Sequence, residues 1–176
     1  MADLTGFRSS IRDGLVRPNI FTVELQFPSF VGAGSAASAL GQFHCKAASL
    51  PASTFTPIPV FFQGRPTYVA GEREFQPWSV TVYNENFLIR DALATWSNGI
   101  NNLSDNTGII QPSVYQTDMV IKQKDRNGNV IKTITLHDAM PAQIGPIQLD
   151  FEANNQIEMF ECVFYYTRYT ETGVNA

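Results

Sequence analysis

The stretch Val69-Ala70-Gly71-Glu72-Arg73-Glu74-Phe75-Gln76-Pro77-Trp78-Ser79-Val80-Thr81-Val82 constrains this chain more than any other. It opens with a Gly turn, crosses a charged corner and enters strict alternation at Trp78. Trp78, Val80 and Val82 leave one side of the pleat, and Ser79, Thr81 and Tyr83 leave the other, as in a half-buried strand. Pro77 has no N–H for a ladder, so the strand begins there or lies at a sheet edge. Glu72 and Glu74 flank Arg73, which predicts a corner ion pair.

The same period recurs along the chain. Phe21, Val23, Leu25 and Phe27 alternate with Thr22, Glu24 and Gln26. A returning strand over 42–48 turns Phe43, Cys45 and Ala47 inward and His44 outward beside Lys46. Segments 114–124 and 130–136 flank Asn127-Gly128, a strong hairpin signal. With that pair as a two-residue loop, Ile121 faces Ile134 and Met119 faces Leu136. A last hairpin is expected to turn at Asn154-Asn155. It puts Ile147, Leu149 and Phe151 on one face with Phe160, Cys162 and Phe164, and Gln148, Asp150, Glu152, Ile157, Met159 and Glu161 on the other. These elements predict a mainly β fold, an antiparallel β-sandwich or barrel, in a single domain over 1–176. It has an N-terminal segment (1–17) and a loose polar tail (167–176).

Helical spacing occurs twice. Leu4, Phe7, Ile11 and Leu15 suggest a short helix over 3–15, capped by Asp3 and stopped by Gly14 and Pro18. The principal helix opens at Asn84-Glu85-Asn86, lines up Leu88, Ile89, Ala92, Leu93 and Trp96, and ends before Gly99. It covers an open barrel end. The run Gly32 to Ala37 loosely fits a dinucleotide-binding loop, but neither a long helix nor a second parallel strand is expected after it. A small-residue hairpin loop over Pro28 to Leu40 fits better, and Ile100 to Pro112 is a polar loop.

Thr56 to Val69 holds three prolines, too many for a central ladder, around Val60, Phe61, Phe62 and Tyr68. It reads as a projecting edge hairpin whose apolar side chains have little core to join. Exposed apolar surface of this kind marks a contact site. Phe61, Phe62 and Tyr68 are therefore candidate subunit-interface residues, with Ile157 and Met159.

Charged residues make up only 16% of the 176, against roughly a quarter in ordinary globular domains. So little charge, with many aromatics, fits a surface largely covered by other subunits, and fits a rigid all-β monomer as well. A net charge of −4 argues against sequence-specific nucleic-acid binding, which needs a basic footprint. Cys45 and Cys162 read as buried free thiols in a reducing compartment. No stretch is long enough to span a bilayer, and the N-terminus lacks a signal peptide's apolar core, so membrane insertion is not expected. No nucleophile elbow, phosphate loop, zinc-binding helix or paired Cys motif occurs. His44 and His137 lack partners at metal spacing, adjacency of His137 and Asp138 does not make a catalytic pair, and Asp125 to Asn129 lacks a calcium loop's ligands. An enzyme, a cofactor or a bound metal is not expected.

Several blocks together resemble the tail tube proteins of contractile-tailed (myovirus) bacteriophages. They are Arg17-Pro18-Asn19 before Phe21-Thr22-Val23-Glu24, Cys45-Lys46-Ala47 with Leu50-Pro51, and Val69 to Arg73 leading to Trp78 to Val82. Ile147 to Phe151 with Asn154-Asn155 and Phe160-Glu161 follows in order. Each block alone is weak and the ordered set is specific. Pro28 to Gly41 and Ile100 to Gln111 match poorly. The resemblance implies a structural virion protein made in the host cytoplasm. Its six copies would close a ring, and the rings would stack into a tube that conducts viral DNA during ejection. Sheath, baseplate and tube terminator proteins would be the partners, and the 56–68 arm would reach a neighbouring ring. Within the same fold, a tube ring of a bacterial secretion or contractile injection system is the alternative. A monomeric ligand-binding β-barrel is the alternative from another class.

Residues 137–176 carry a net −5, more than the whole chain's −4. On a hairpin turning at Asn154-Asn155, Asp150, Glu152 and Glu161 would form one acidic face. Turned to a channel, such a face keeps DNA from sticking. Ile157 and Met159 on it favour burial between subunits instead.

Overall fold

The computed structural model describes residues 3–11 and 15–172. In chain order the elements are α1 (Leu4–Ser10), β1 (Phe21–Glu24), α2 (Gly34–His44), β2 (Cys45–Ala48), β3 (Ser53–Phe55) and β4 (Ile58–Phe62). Then come β5 (Arg65–Val69), β6 (Arg73–Phe75), β7 (Trp78–Tyr83), α3 (Leu88–Ile100) and α4 (Pro112–Tyr115). The chain closes with β8 (Thr117–Lys124), β9 (Val130–Ile144), β10 (Met159–Tyr165) and β11 (Arg168–Glu171).

The main sheet is antiparallel in the order β1-β8-β9-β10-β7-β2, with β11 also on β9. Strand β9 makes it two-layered. Its first half pairs with β8 and β11, and its second half with β10. Between the halves Asp138 takes φ 57° and the β8–β9 register slips by one residue. Such a bulge bends and twists a strand, so one chain segment serves both layers.

Between the layers lie Val23, Leu25, Trp78, Val80, Val82, Met119, Ile121, Ile134, Leu136, Phe160, Cys162 and Phe164, all buried. Trp78, Val80 and Val82 alternate with half-buried Ser79, Thr81 and Tyr83, and β7 begins one residue after Pro77, as the pattern requires. Helix α3 adds Ile89, Ala92, Leu93 and Trp96 to this core. Each fully buried aliphatic side chain is worth about 1.5–3 kcal/mol. Both tryptophans keep a polar partner: the Nε1–H of Trp78 donates to Ser49 O (2.8 Å), and that of Trp96 to Tyr115 O (2.7 Å).

Several local expectations are corrected. Small residues 32–37 do not form a hairpin loop, and β2 starts only at Cys45, because 34–44 is helical. Those residues are small to let α2 sit close. A Cβ on Gly34 would lie 2.7 Å from Phe27 Cβ, and Ala37 is fully buried. Phe43 accordingly faces solvent on α2, and His44 ends that helix with Nε2 2.8 Å from Glu85 Oε2. Helix α3 starts after Asn86 and Phe87, both at positive φ, and Gly99 lies inside it. A Cβ there would meet the Phe30 ring at 2.4 Å, so Gly99 serves packing and does not stop the helix. Val114 and Tyr115 complete α4 and Gln116 caps it, so β8 begins at Thr117.

Asp3 caps α1 by accepting the Gly6 N–H (2.6 Å), and the helix ends at Ser10, short of the expected residue 15. Gly14 lies outside the described residues. The 167–176 tail is not loose up to Thr172. His137 holds β11 in place: Nδ1 is 3.0 Å from Asp118 Oδ2 and Nε2 is 3.0 Å from Thr170 Oγ1. A Lys132–Glu171 ion pair adds to this, while 173–176 are outside the described residues.

The β8–β9 register is as expected at Ile121–Ile134 and Met119–Leu136. The turn differs. It has three loop residues, Arg126-Asn127-Gly128, closed by Gly128 N–H to Asp125 O, with Gly128 at φ 85°. That turn offsets the strands by one residue, and a bulge between Gln123 and Lys124 restores the register.

Candidate assembly site

Strands β4 and β5 form a two-stranded sheet of their own, every residue of it exposed. Gln63 (φ 48°) and Gly64 (φ 79°) make a two-residue turn with both residues left-handed, which matches strand twist. The register runs Phe62–Arg65, Phe61–Pro66, Val60–Thr67, Pro59–Tyr68 and Ile58–Val69. In a two-residue hairpin the pair beside the turn is hydrogen-bonded and the pattern alternates from there. The N–H groups at positions 59, 61, 66 and 68 therefore point out along the two edges. Pro59 and Pro66 delete one of the two outward donors on each edge, which weakens strand addition. The side chains are left to make the contact, and Phe61 (70% exposed) and Phe62 (72%) are well presented for it.

The arm is set by its base. Strands β3 and β6 pair as Ser53–Phe75, Thr54–Glu74 and Phe55–Arg73, one residue out of step with β4–β5. At the step Gly71 passes so close to the chain that a Cβ would lie 2.1 Å from Thr56 O. The expected ion pair between Arg73 and its flanking glutamates is absent among the described residues. The guanidinium instead lies 4.7 Å from the centre of the Phe55 ring.

The second surface is the 145–158 connection, and here the expected hairpin is corrected. Residues 147–151 form no strand, because β10 pairs with the far half of β9 as Cys162–Ile144 and Tyr165–Met140. Pro141 hides that half of β9 from sequence patterning. It is accommodated opposite Phe164 at a bulge. What remains is an outward arch with Leu149 85% exposed and Phe151 and Ile157 also exposed. With Asp150, Glu158 and Met159 they line an open cavity of about 590 Å³. Asp150 and Glu152 stay together on the arch, where Asp150 Oδ1 accepts the Glu152 N–H (2.9 Å). Glu161 does not join them on a hairpin face. It lies on β10 opposite Thr81, on the sheet face away from the core.

His137 has a structural partner, while His44 Nδ1 and the Tyr166 hydroxyl are buried without a hydrogen-bond partner. Asp118, not the adjacent Asp138, pairs with His137. No cluster of three metal-ligating side chains occurs among the described residues. Cys45 and Cys162 are free thiols, and burial pushes each up to about 12.

These surfaces are two apolar projections from an antiparallel β fold. The family model for the phage tail tube protein matches residues 16–172. The chain belongs to the phage tail tube protein family. It is a structural tube protein, as the ordered blocks implied. It is 33% identical over 150 residues to tail tube protein gp19 of Enterobacteria phage T4, covering 82% of this chain and 85% of that one. Two solved structures share the tail tube fold. One is the sheath–tube complex of the PVC extracellular contractile injection system (TM-score 0.62, 15% identity, 99% of this chain and 100% of that one). The other is the six-fold symmetrised baseplate of the anti-feeding prophage (TM-score 0.64, 13% identity, 93% and 99%).

Sequence reasoning pointed to Phe61, Phe62, Tyr68, Ile157 and Met159, and all five have solvent access on the arm or at the arch. It missed Leu149 and Phe151 as surface residues, having assigned them to a core-facing strand. Their alternation is real. Pairing decided where it went.

Proposed function

We propose that the chain is the repeating subunit of a contractile-phage tail tube, six copies closing each ring and rings stacking into the conduit for viral DNA. The single observation carrying this reading is the arm: an exposed apolar hairpin with a proline on each edge, in a tail tube family member. A head-to-tail contact whose rotation closes gives a ring, and a separate stacking face extends it. Six-fold symmetry is in keeping with the structurally similar anti-feeding prophage baseplate. The sheath, baseplate and tube terminator of the same particle are the partners, and assembly takes place in the host cytoplasm.

The wall of the channel is assigned to the outer face of β10 and β7, with Glu161, Thr81 and Ser79. Glu161, opposite Thr81, gives this face a carboxylate that disfavours phosphate, beside Met159 and Val163 on the same strand. Electron microscopy of the purified protein tests the reading. Hollow rings with six-fold averages, or tubes, are expected. A homogeneous monomer at high concentration would overturn it.

A further inference from the structure

Arg65 is the only charged side chain between Thr56 and Gly71, and it shares a hairpin face with its pairing partner Phe62. No carboxylate lies within 4.0 Å of it among the described residues. The arm tip thus presents one aromatic ring beside one unneutralised cation.

The 145–158 arch presents the reverse. Leu149, Phe151 and Ile157 offer apolar surface, Asp150 and Glu158 sit among them, and neither acid has a cationic partner among the described residues. Glu158 is already engaged, since its Oε1 accepts from Asn84 Nδ2 (2.6 Å). Among the described residues Asp150 uses only Oδ1, for the Glu152 N–H, which leaves Oδ2 to receive a donor. An open cavity of about 590 Å³ admits a phenyl ring and a guanidinium together.

We infer that the arch of one copy receives the arm tip of a second copy, Phe62 resting on Leu149, Phe151 and Ile157 while Arg65 pairs with Asp150. The arm's own arch is not its partner, because both are exposed within one chain. Arm and arch are different surfaces, so the contact is head-to-tail and can propagate from copy to copy. The pair combines a buried aromatic with a charge-assisted Arg–carboxylate bond to Asp150 Oδ2, the pattern that carries most binding energy at interfaces. It also gives the acids separate tasks, Asp150 at a subunit contact and Glu161 at the channel wall. The inference rests on the tube reading above.

Charge exchange on the full chain tests it. Arg65→Glu and Asp150→Arg are each expected to cut sedimentable tubes at least about tenfold, and the combined variant to restore most of the yield. Circular dichroism of all three should match the wild type. A Phe62→Cys, Phe151→Cys double variant should give a ladder of disulfide-linked oligomers on oxidation, with the single variants as controls. Cys45 and Cys162, half-buried and buried, contribute little background. If wild-type tubes form but both single reversals assemble normally, or the combined variant is no better than either, the arm–arch pairing is wrong and the tube reading stands. Tubes lost on reversal without rescue or crosslinking would place the arm on another surface. Wild-type protein that remains monomeric removes both.

Discussion

Phe61 and Phe62 are neighbours in sequence and lie on opposite faces of the arm, because Phe61 pairs across from Pro66 and Phe62 across from Arg65. One face carries Pro59, Phe61, Pro66 and Tyr68, and the other carries Ile58, Val60, Phe62, Thr67 and Val69 around Arg65. Both faces are mainly apolar. An arm lying flat on a surface would cover one of them only, so covering both takes a partner surface on each side.

Two-sided enclosure makes Phe61→Ser and Phe62→Ser separately damaging. Each is expected to cost about 1–3 kcal/mol per contact and to raise the concentration needed for tube formation about tenfold or more. Neither side chain touches the core, so the β-rich circular dichroism and thermal midpoint should stay at wild-type values. A variant that unfolds would return its phenylalanine to the core.

Gly71→Ala tests the base of the arm. The added methyl collides with Thr56 O at 2.1 Å, and backbone on both sides must move. A local cost of about 1–3 kcal/mol is expected. Hydrogen exchange should rise across 53–75 while β7 keeps its protection, and polymerisation should weaken because the arm is aimed wrongly. Unchanged exchange at the base would rule out the close approach.

The two thiols give an alkaline signature. Burial raises both from an ordinary value of 9.0 to about 12. Below pH 9 the folded and unfolded chains both hold these protons and stability is fully present. Between pH 9 and 12 the unfolded chain releases them first, so stability falls as pH rises. Urea titrations at pH 8 and 10.5 should show a lower midpoint at the higher pH, and Cys45→Ser, Cys162→Ala should flatten that difference. At pH 8 a thiol reagent should react slowly until urea is added.

Glu161→Lys separates channel from interface. On a channel wall the reversal leaves tubes intact, and six-fold repetition makes them bind short DNA in a salt-sensitive way. Filter binding at about 50 and 200 mM salt reads this directly. Loss of tubes in this variant alone would place β10's outer face between subunits.

The chain's local patterns were enough for the strands that alternate without interruption. Trp78 to Tyr83, Phe21 to Glu24 and the Ile121–Ile134 pairing were legible because a half-buried strand forces period two on its residues. The arm was legible for the opposite reason. Prolines and aromatics at 56–69 satisfy no core pattern, and Gln63-Gly64 supplies the turn. Helix α2 was not legible, since Gly34, Ala37 and Gly41 carry no amphipathic signal, and Phe27 presses against Gly34 and Leu25 against Gly41. The last hairpin failed on competition. Two segments, 140–144 and 147–151, were available to pair with β10, and the alternating one lost. The winner is continuous with β9, so the bulge at Asp138 delivers it to β10 with no further chain to order. By itself the sequence determined which residues are apolar in alternation and which cannot join a ladder. The tertiary structure decided which alternating segment was buried, because strand pairing is non-local and a place beside β10 can be filled only once. The segment left over became the arch, with Leu149 and Phe151 exposed.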